Sequence, residues 1–369
     1  MKRMVFYMFF IVGVSLNLFA HTVPQFTVYQ NLEDFNYALY ELETSYAGFE
    51  TYVNEVTRQQ YDSIVANLRS QVEMGNKPGY DAALFLYSSF DDSHLGINLE
   101  SLSLSEQYMS KRKKFNLYEK IQPYMPEPVA VKATDKSFLI RLPEFVVEII
   151  SFDWVEKAMD EFAKSGCENL ILDVRGNGGG DERLWHPFLP LLFSHPGTVK
   201  NIEFRMSENN IEYLKMVATQ FPEAQMMLNK YAETHAAYVP LADNEDILID
   251  LPAYDGITPR RVAIIIDANN ASATEFLLLQ AKAVSDKTVL YGKENTLGCF
   301  DCSNVREITF LPNSGYSLSI PISRTCKLEY NGIDKTGIAP DVIVPIDYPK
   351  SLTNNIDEWT LWIANEIEK

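Results

Sequence analysis

Two short stretches of this chain carry residue types suited to acyl-transfer chemistry. Ile264-Ile265-Ile266-Asp267-Ala268-Asn269-Asn270-Ala271-Ser272-Ala273-Thr274-Glu275 runs from an apolar strand through a polar turn into a helix that opens at Ser272. A serine hydroxyl placed there can act as a nucleophile, because free N–H groups and the helix dipole stabilise the charge that forms on an attacked carbonyl. The N–H of Ala273 is positioned to be one such donor. Earlier in the chain, Ile171-Leu172-Asp173-Val174-Arg175-Gly176-Asn177-Gly178-Gly179-Gly180 makes a similar passage and ends in glycines. Both turns then lie at the carboxyl edge of a sheet, where α/β proteins build sites. Each stretch also has a plainer reading. Ser272 with Glu275 three residues on fits a capping box, and the glycines fit a turn that needs positive φ, although three in succession are more than a turn requires.

The order and spacing of these motifs, with Tyr291-Gly292 and Thr296-Leu297-Gly298 downstream, resemble the C-terminal-processing, or tail-specific, serine peptidases and their tricorn-core relatives. The resemblance spans about Ser137 to Val344 and, more weakly, the His94 segment. It implies an α/β fold with a crotonase-like (ClpP/crotonase-type) core, Ser272 as nucleophile, and an oxyanion hole in which Gly179 or Gly180 joins Ala273. It implies no cofactor and no metal. The best-known branch pairs its serine with a lysine just after the Thr-x-Gly turn, where this chain has Cys299; Lys287 and Lys293 precede that turn and read as solvated loop residues. The tricorn-like branch takes a histidine, preceded by a serine, from the helical segment before the core. Asp91-Asp92-Ser93-His94-Leu95-Gly96 offers both, with His94 as base and Ser93 as a polar bridge. An imidazole with a pKa near ~6.5 can accept the serine proton near neutral pH and return it to the leaving amine. A carboxylate should orient it. The resemblance puts that acid shortly before Gly337-Ile338-Ala339-Pro340-Asp341, where Asp334 is the nearest match and Glu329 the reserve; either also reads as a solvated turn acid. Many tail-specific enzymes insert a PDZ domain before the core, and the stretch between Asn98 and Val129 is too short for one. Two other classes stay open, a non-catalytic binder of peptides or lipophilic ligands on the same fold and an esterase using the same serine.

The elements that must position these residues follow from hydrophobic spacing. Phe35, Leu39, Leu42, Tyr46 and Phe49, then Tyr52, Val56, Tyr61, Ile64 and Leu68, recur at helical intervals and predict an N-terminal helical subdomain over 21–120. Residues 121–349 predict an α/β core. Its strands are expected at 129–131, 137–142, 170–174, 262–266, 288–291, 307–311, 317–320 and 342–344, with helices at 154–165 and 273–285. An acidic, partly helical insertion over 199–257 separates the two motifs and could wall or cover a cleft. Residues 350–369 predict a C-terminal helix.

Residues 1–20 read as a secretory signal peptide: Lys2 and Arg3, an apolar run from Met4, and Leu18-Phe19-Ala20 as a cleavage site before His21. The expected location is periplasmic or extracellular, with no membrane insertion after cleavage. Losing those two cations takes the net charge of the 369-residue chain from −18 to −20, which disfavours nucleic acid and anionic membrane surfaces and leaves peptide or protein substrates as partners. Oligomeric state is left open. Of the four cysteines, Cys167, Cys299, Cys302 and Cys326, one disulfide among the last three is the leading structural expectation. Cys299-Phe300-Asp301-Cys302 lacks the second pair or nearby histidine of a zinc site. Metalloprotease and glycine-x-serine-x-glycine motifs are also lacking.

Overall fold

The computed structural model describes residues 26–99, 127–219, 221–250, 254–326, 332–349 and 351–369. The signal-peptide stretch and Glu329 lie outside the described residues. In chain order the helices are α1 (Val28–Thr44), α2 (Phe49–Tyr52), α3 (Arg58–Glu73), α4 (Gly79–Tyr87), α5 (Phe152–Ser165), α6 (Leu189–Leu192), α7 (Glu208–Val217), α8 (Pro222–Thr234), α9 (Ala273–Val284) and α10 (Glu358–Ile367). The strands are β1 (Gly96–Asn98), β2 (Val129–Lys132), β3 (Ser137–Arg141), β4 (Asn169–Asp173), β5 (Gly197–Lys200), β6 (Ile202–Arg205), β7 (Tyr238–Pro240), β8 (Asp246–Ile249), β9 (Arg261–Ile265), β10 (Thr288–Gly292), β11 (Cys302–Phe310), β12 (Ser317–Thr325) and β13 (Val342–Ile343).

A six-stranded sheet of order β13-β10-β9-β4-β3-β2 forms the centre. All its pairings are parallel except β2 with β3. Strands β3 and β4 are buried along their whole length, as parallel strands covered on both faces must be. Helix α5 covers one face. Ser151 caps it by accepting the Trp154 N–H, Gly166 ends it in the left-handed conformation at φ 72°, and Val155, Ala158 and Phe162 form its buried stripe. Helix α9 packs into the same core through Leu277, Leu278 and Ala281. Burying each leucine there contributes about 1.5–3 kcal/mol. The opposite face is covered by α10, whose Trp359, Ile363 and Ile367 meet Leu139, Ile171 and Ala263. Strands β4 and β9 are neighbours with Asp173 opposite Ile265, so the glycine turn and the Ser272 turn leave the sheet side by side.

A second sheet, β1-β12-β6-β7 with β11 also on β12, shares one core with α1, α3, α4, α7 and α8. The segment read as an insertion therefore supplies two strands and two helices to the layer that holds the N-terminal helices. No helix among the described residues is long and apolar enough to cross a membrane. All four cysteines are free thiols, contrary to the disulfide expectation. Cys299 Sγ faces His94 and Cys302 Sγ faces the Tyr46 hydroxyl at 3.8 Å, so each thiol already has a polar neighbour.

Candidate active site

Ser272 stands at the corner of a tight turn. The Thr274 N–H donates to Ala271 O at 3.0 Å, closing a four-residue turn whose first corner is Ser272 at φ 53° and ψ −121°. These are the angles of a type II′ corner, normally a glycine position. Holding a serine there costs of order 1–3 kcal/mol, so the surroundings must impose it. They do so through backbone bonds from the segment after β10: Ser272 N–H donates to Cys299 O at 2.8 Å, and Leu297 N–H to Asn270 O at 2.8 Å. The Ser272 side chain makes no capping bond to α9. Glu275 accepts from Thr296 Oγ1 and from Gly298 N–H and Cys299 N–H, both at 2.8 Å, and a hydrogen bond from the Ser272 backbone N–H keeps the glutamate half of a capping box. Burial pushes its carboxyl up, against the lowering effect of those donors.

The two motifs are locked together by their polar residues. Asn177 Oδ1 accepts from Gly179 N–H at 2.9 Å and from Thr274 Oγ1 at 2.8 Å, while its amide donates to Leu142 O. The Asn270 amide donates to Val174 O and Asn177 O, and its Oδ1 accepts from Asp267 N–H. Asp267 Oδ2 accepts from Gly176 N–H at 3.0 Å, and burial raises this carboxyl to about 6. Gly179, at φ 105°, lies directly against the serine: a Cβ there would sit 2.8 Å from Ser272 Cβ and 3.0 Å from Ala273 N. Because its own N–H is held by Asn177, the glycine turn's remaining predicted donor is Gly180.

His94 lies between α4 and β1 and is buried. Its Nδ1 is 2.7 Å from Cys302 O and 3.3 Å from Cys299 Sγ. A carbonyl oxygen can only accept, so Nδ1 carries the proton and Nε2 is left as the acceptor, the tautomer a general base needs. Asp92 shapes the approach by accepting from His94 N–H at 2.8 Å and from the Tyr46 hydroxyl at 2.8 Å. Cys299, where the resemblance leads one to expect a lysine, bridges both halves: its carbonyl binds Ser272 and its thiol faces His94. Burial, reinforced by the Asp92 and Asp334 carboxylates, pushes that thiol up, and a hydrogen bond with Ser93 partly offsets this. Lys287 ends the loop before β10, at the amino edge of the sheet, and Lys293 sits 5.1 Å from the Tyr348 ring.

Asp334 Oδ1 accepts from Phe300 N–H and Asp301 N–H at 2.5 and 2.7 Å, and its second oxygen is buried with no hydrogen-bond partner. Burial, then the neighbouring Asp92 and Asp301, hold this carboxyl far above the ordinary range. Among the described residues, Asp92, Cys302 and Asp334 alone bring three ligand-type atoms within 4.8 Å of one another. Two of the three groups are driven towards their protonated forms, whereas metal ligands must be deprotonated.

Residues that sequence reasoning did not single out complete the frame. Asp173 binds Arg141 and Arg175 at 2.7–2.8 Å, and Arg175 also binds Asp357, the N-cap of α10, at 2.6 Å. Burial would raise Asp173, but the two guanidiniums outweigh it and hold the carboxyl well below its usual range. Asn177, Asp267 and Asn270 stood inside the quoted motifs; only their reach across the sheet edge was hidden.

The sequence model of peptidase family S41 matches residues 138–344, more than half of the chain. The chain belongs to peptidase family S41. Membership makes it a serine-type peptidase, and the matched span includes both the glycine turn and Ser272. No curated protein matches this S41 chain in sequence. Among solved structures it is similar to a candidate peptidase from Parabacteroides merdae, with 15% identity, TM-score 0.55, and 86% of this chain and 90% of that one covered. It is also similar to mature CPAF complexed with lactacystin, with 10% identity, TM-score 0.59, and coverage of 92% and 97%. At these identities the likeness concerns the fold.

Proposed function

We propose that this S41 peptidase hydrolyses peptide bonds with Ser272 as nucleophile and His94 as general base, on a crotonase-like core. The observation that carries the reading is the backbone of Ser272, held at a glycine-type corner on the first turn of α9 and joined through Cys299 to a histidine whose Nε2 is the accepting nitrogen. His94 Nε2 takes the proton as Ser272 Oγ bonds to the carbonyl carbon. The oxyanion is received by the N–H groups of Ala273 and Gly180. Collapse of the tetrahedral intermediate breaks the C–N bond, His94 returns the proton to the amine, and water then hydrolyses the acyl-serine by the same steps. Asp334 orients His94 through the chain, by fixing the 300–301 segment that leads to the Cys302 carbonyl, while Ser93 braces the Cys299 thiol. The signal-peptide reading of residues 1–20, with cleavage after Ala20, supports a periplasmic or extracellular enzyme acting on peptides or proteins.

The test is turnover of peptide and matched ester substrates by wild type and Ser272→Ala. The reading expects peptide turnover that vanishes in the variant. Ester turnover without peptide turnover would make the protein an esterase, and full activity in Ser272→Ala would remove the serine from the mechanism.

A further inference from the structure

Two aromatic rings stand on the two segments that hold the serine, one on each. Phe276 lies one helical turn beyond Ser272 on α9, its N–H donating to Ser272 O at 2.9 Å. Helical side chains tilt towards the helix N-terminus, so the Phe276 side chain leans towards the turn that carries the nucleophile. Phe300 directly follows Cys299, whose carbonyl accepts the Ser272 N–H, and Asp334 fixes its backbone. The two rings stack with centroids 5.5 Å apart and planes 21° apart, and both are partly exposed. Behind Phe276 stands the fully buried Trp185, edge-on at 5.9 Å, so the pair has a rigid backing.

Resting on the peptidase reading above, we infer that Phe276 and Phe300 form the wall of a subsite for an aromatic or large apolar side chain on the residue whose carbonyl Ser272 attacks. A preformed aromatic wall offers offset or edge-on contact to a third ring without reorganisation. An acyl chain tethered to Ser272 brings its own side chain within reach of that wall, and a carboxylate side chain would lose its water against the apolar rings.

Acyl-amino-acid coumarylamides test this directly, because they vary only the acyl-side residue. For wild type, kcat/KM for the Phe substrate should exceed that for Ala at least ~10-fold, the scale a hydrophobic pocket supplies, and Asp should rank below Ala. In Phe276→Ala and in Phe300→Ala, the Phe-to-Ala ratio should fall to within about threefold of unity. The ratio is insensitive to a uniform loss of activity, and covalent labelling of Ser272 by a fluorophosphonate reports that each variant is folded; should Phe276→Ala misfold beside Trp185, Phe300→Ala carries the test. Ser272-dependent turnover with no preference, or a preference intact in the variants, overturns this inference alone. Absence of any Ser272-dependent amide turnover overturns the peptidase reading beneath it.

Discussion

At the scale of single residues, the strained backbone of Ser272 separates its role from that of a helix cap. Ser272→Ala should abolish peptide turnover and leave the melting temperature nearly unchanged, because no side-chain cap is lost. Ser272→Gly should also be inactive but more stable by up to ~1 kcal/mol, since glycine adopts the type II′ corner without a Cβ penalty. Thermal melts of the two variants check this, and equal stability would deny the strain. His94→Ala should lower kcat by ~10²–10⁴, whereas Lys287→Ala and Lys293→Ala should leave it near wild type. Asp334 makes a prediction in pH. Its folded-state carboxyl is raised towards about 9 from 3.8, so its contribution to stability is fully present below 3.8 and is lost as pH rises towards 9. Asp334→Asn should therefore melt higher than wild type at pH 8 and alike at pH 4; parallel curves would mean the carboxyl is not held neutral. The residues proposed for this chemistry were legible in the sequence, including the departure at Cys299. Their states were not. The Ser272 φ, the contacts of Glu275 with the segment after β10, the free thiols and the raised Asp334 carboxyl all depend on partners distant in sequence.

At the scale of elements, the site is an interlock between two strand-to-turn passages, and Gly179 is where they touch. Gly179→Ala would place its Cβ 2.8 Å from Ala271 O and Ser272 Cβ, at a φ of 105° that L-residues avoid. A displaced nucleophile turn should cost ~10²–10³ in kcat, the scale of losing an oxyanion donor, with KM changed much less. A folded Gly179→Ala enzyme with normal kcat would show that the contact is only structural. The periodicities that placed α5, α9, β3, β4 and β9 were local and strong, which is why those elements emerged within a residue or two of expectation. Strand β11 begins at Cys302, five residues before the expected Glu307, because its early pairing is set by Ser323 and Arg324 of β12. No local pattern announces that register.

At the scale of the whole molecule, the site edge is tied to the far face of the sheet by buried charge. Asp357→Ala would leave Arg175 without one of its carboxylates and α10 without its cap. The cost should be ~3–5 kcal/mol, read as a lower urea midpoint. The Asp173 carboxyl is depressed, so its contribution is full above 3.8 and erodes as pH falls below it, opposite in sign to Asp334. The α/β core was readable because its strands are continuous apolar runs; the partnership of the N-terminal helices with β6, β7, α7 and α8 was not, since it joins segments more than a hundred residues apart in sequence.

The central claim, that Ser272 is the nucleophile and His94 its base, is tested most directly by mapping a fluorophosphonate adduct by mass spectrometry and timing its formation. A single adduct on Ser272 is expected in wild type. It should be absent from Ser272→Ala and should form at least ~10²-fold more slowly in folded His94→Ala, because the base must take the serine proton as the new bond forms. An adduct on another residue, or labelling of Ser272 at an unchanged rate without His94, would contradict the account.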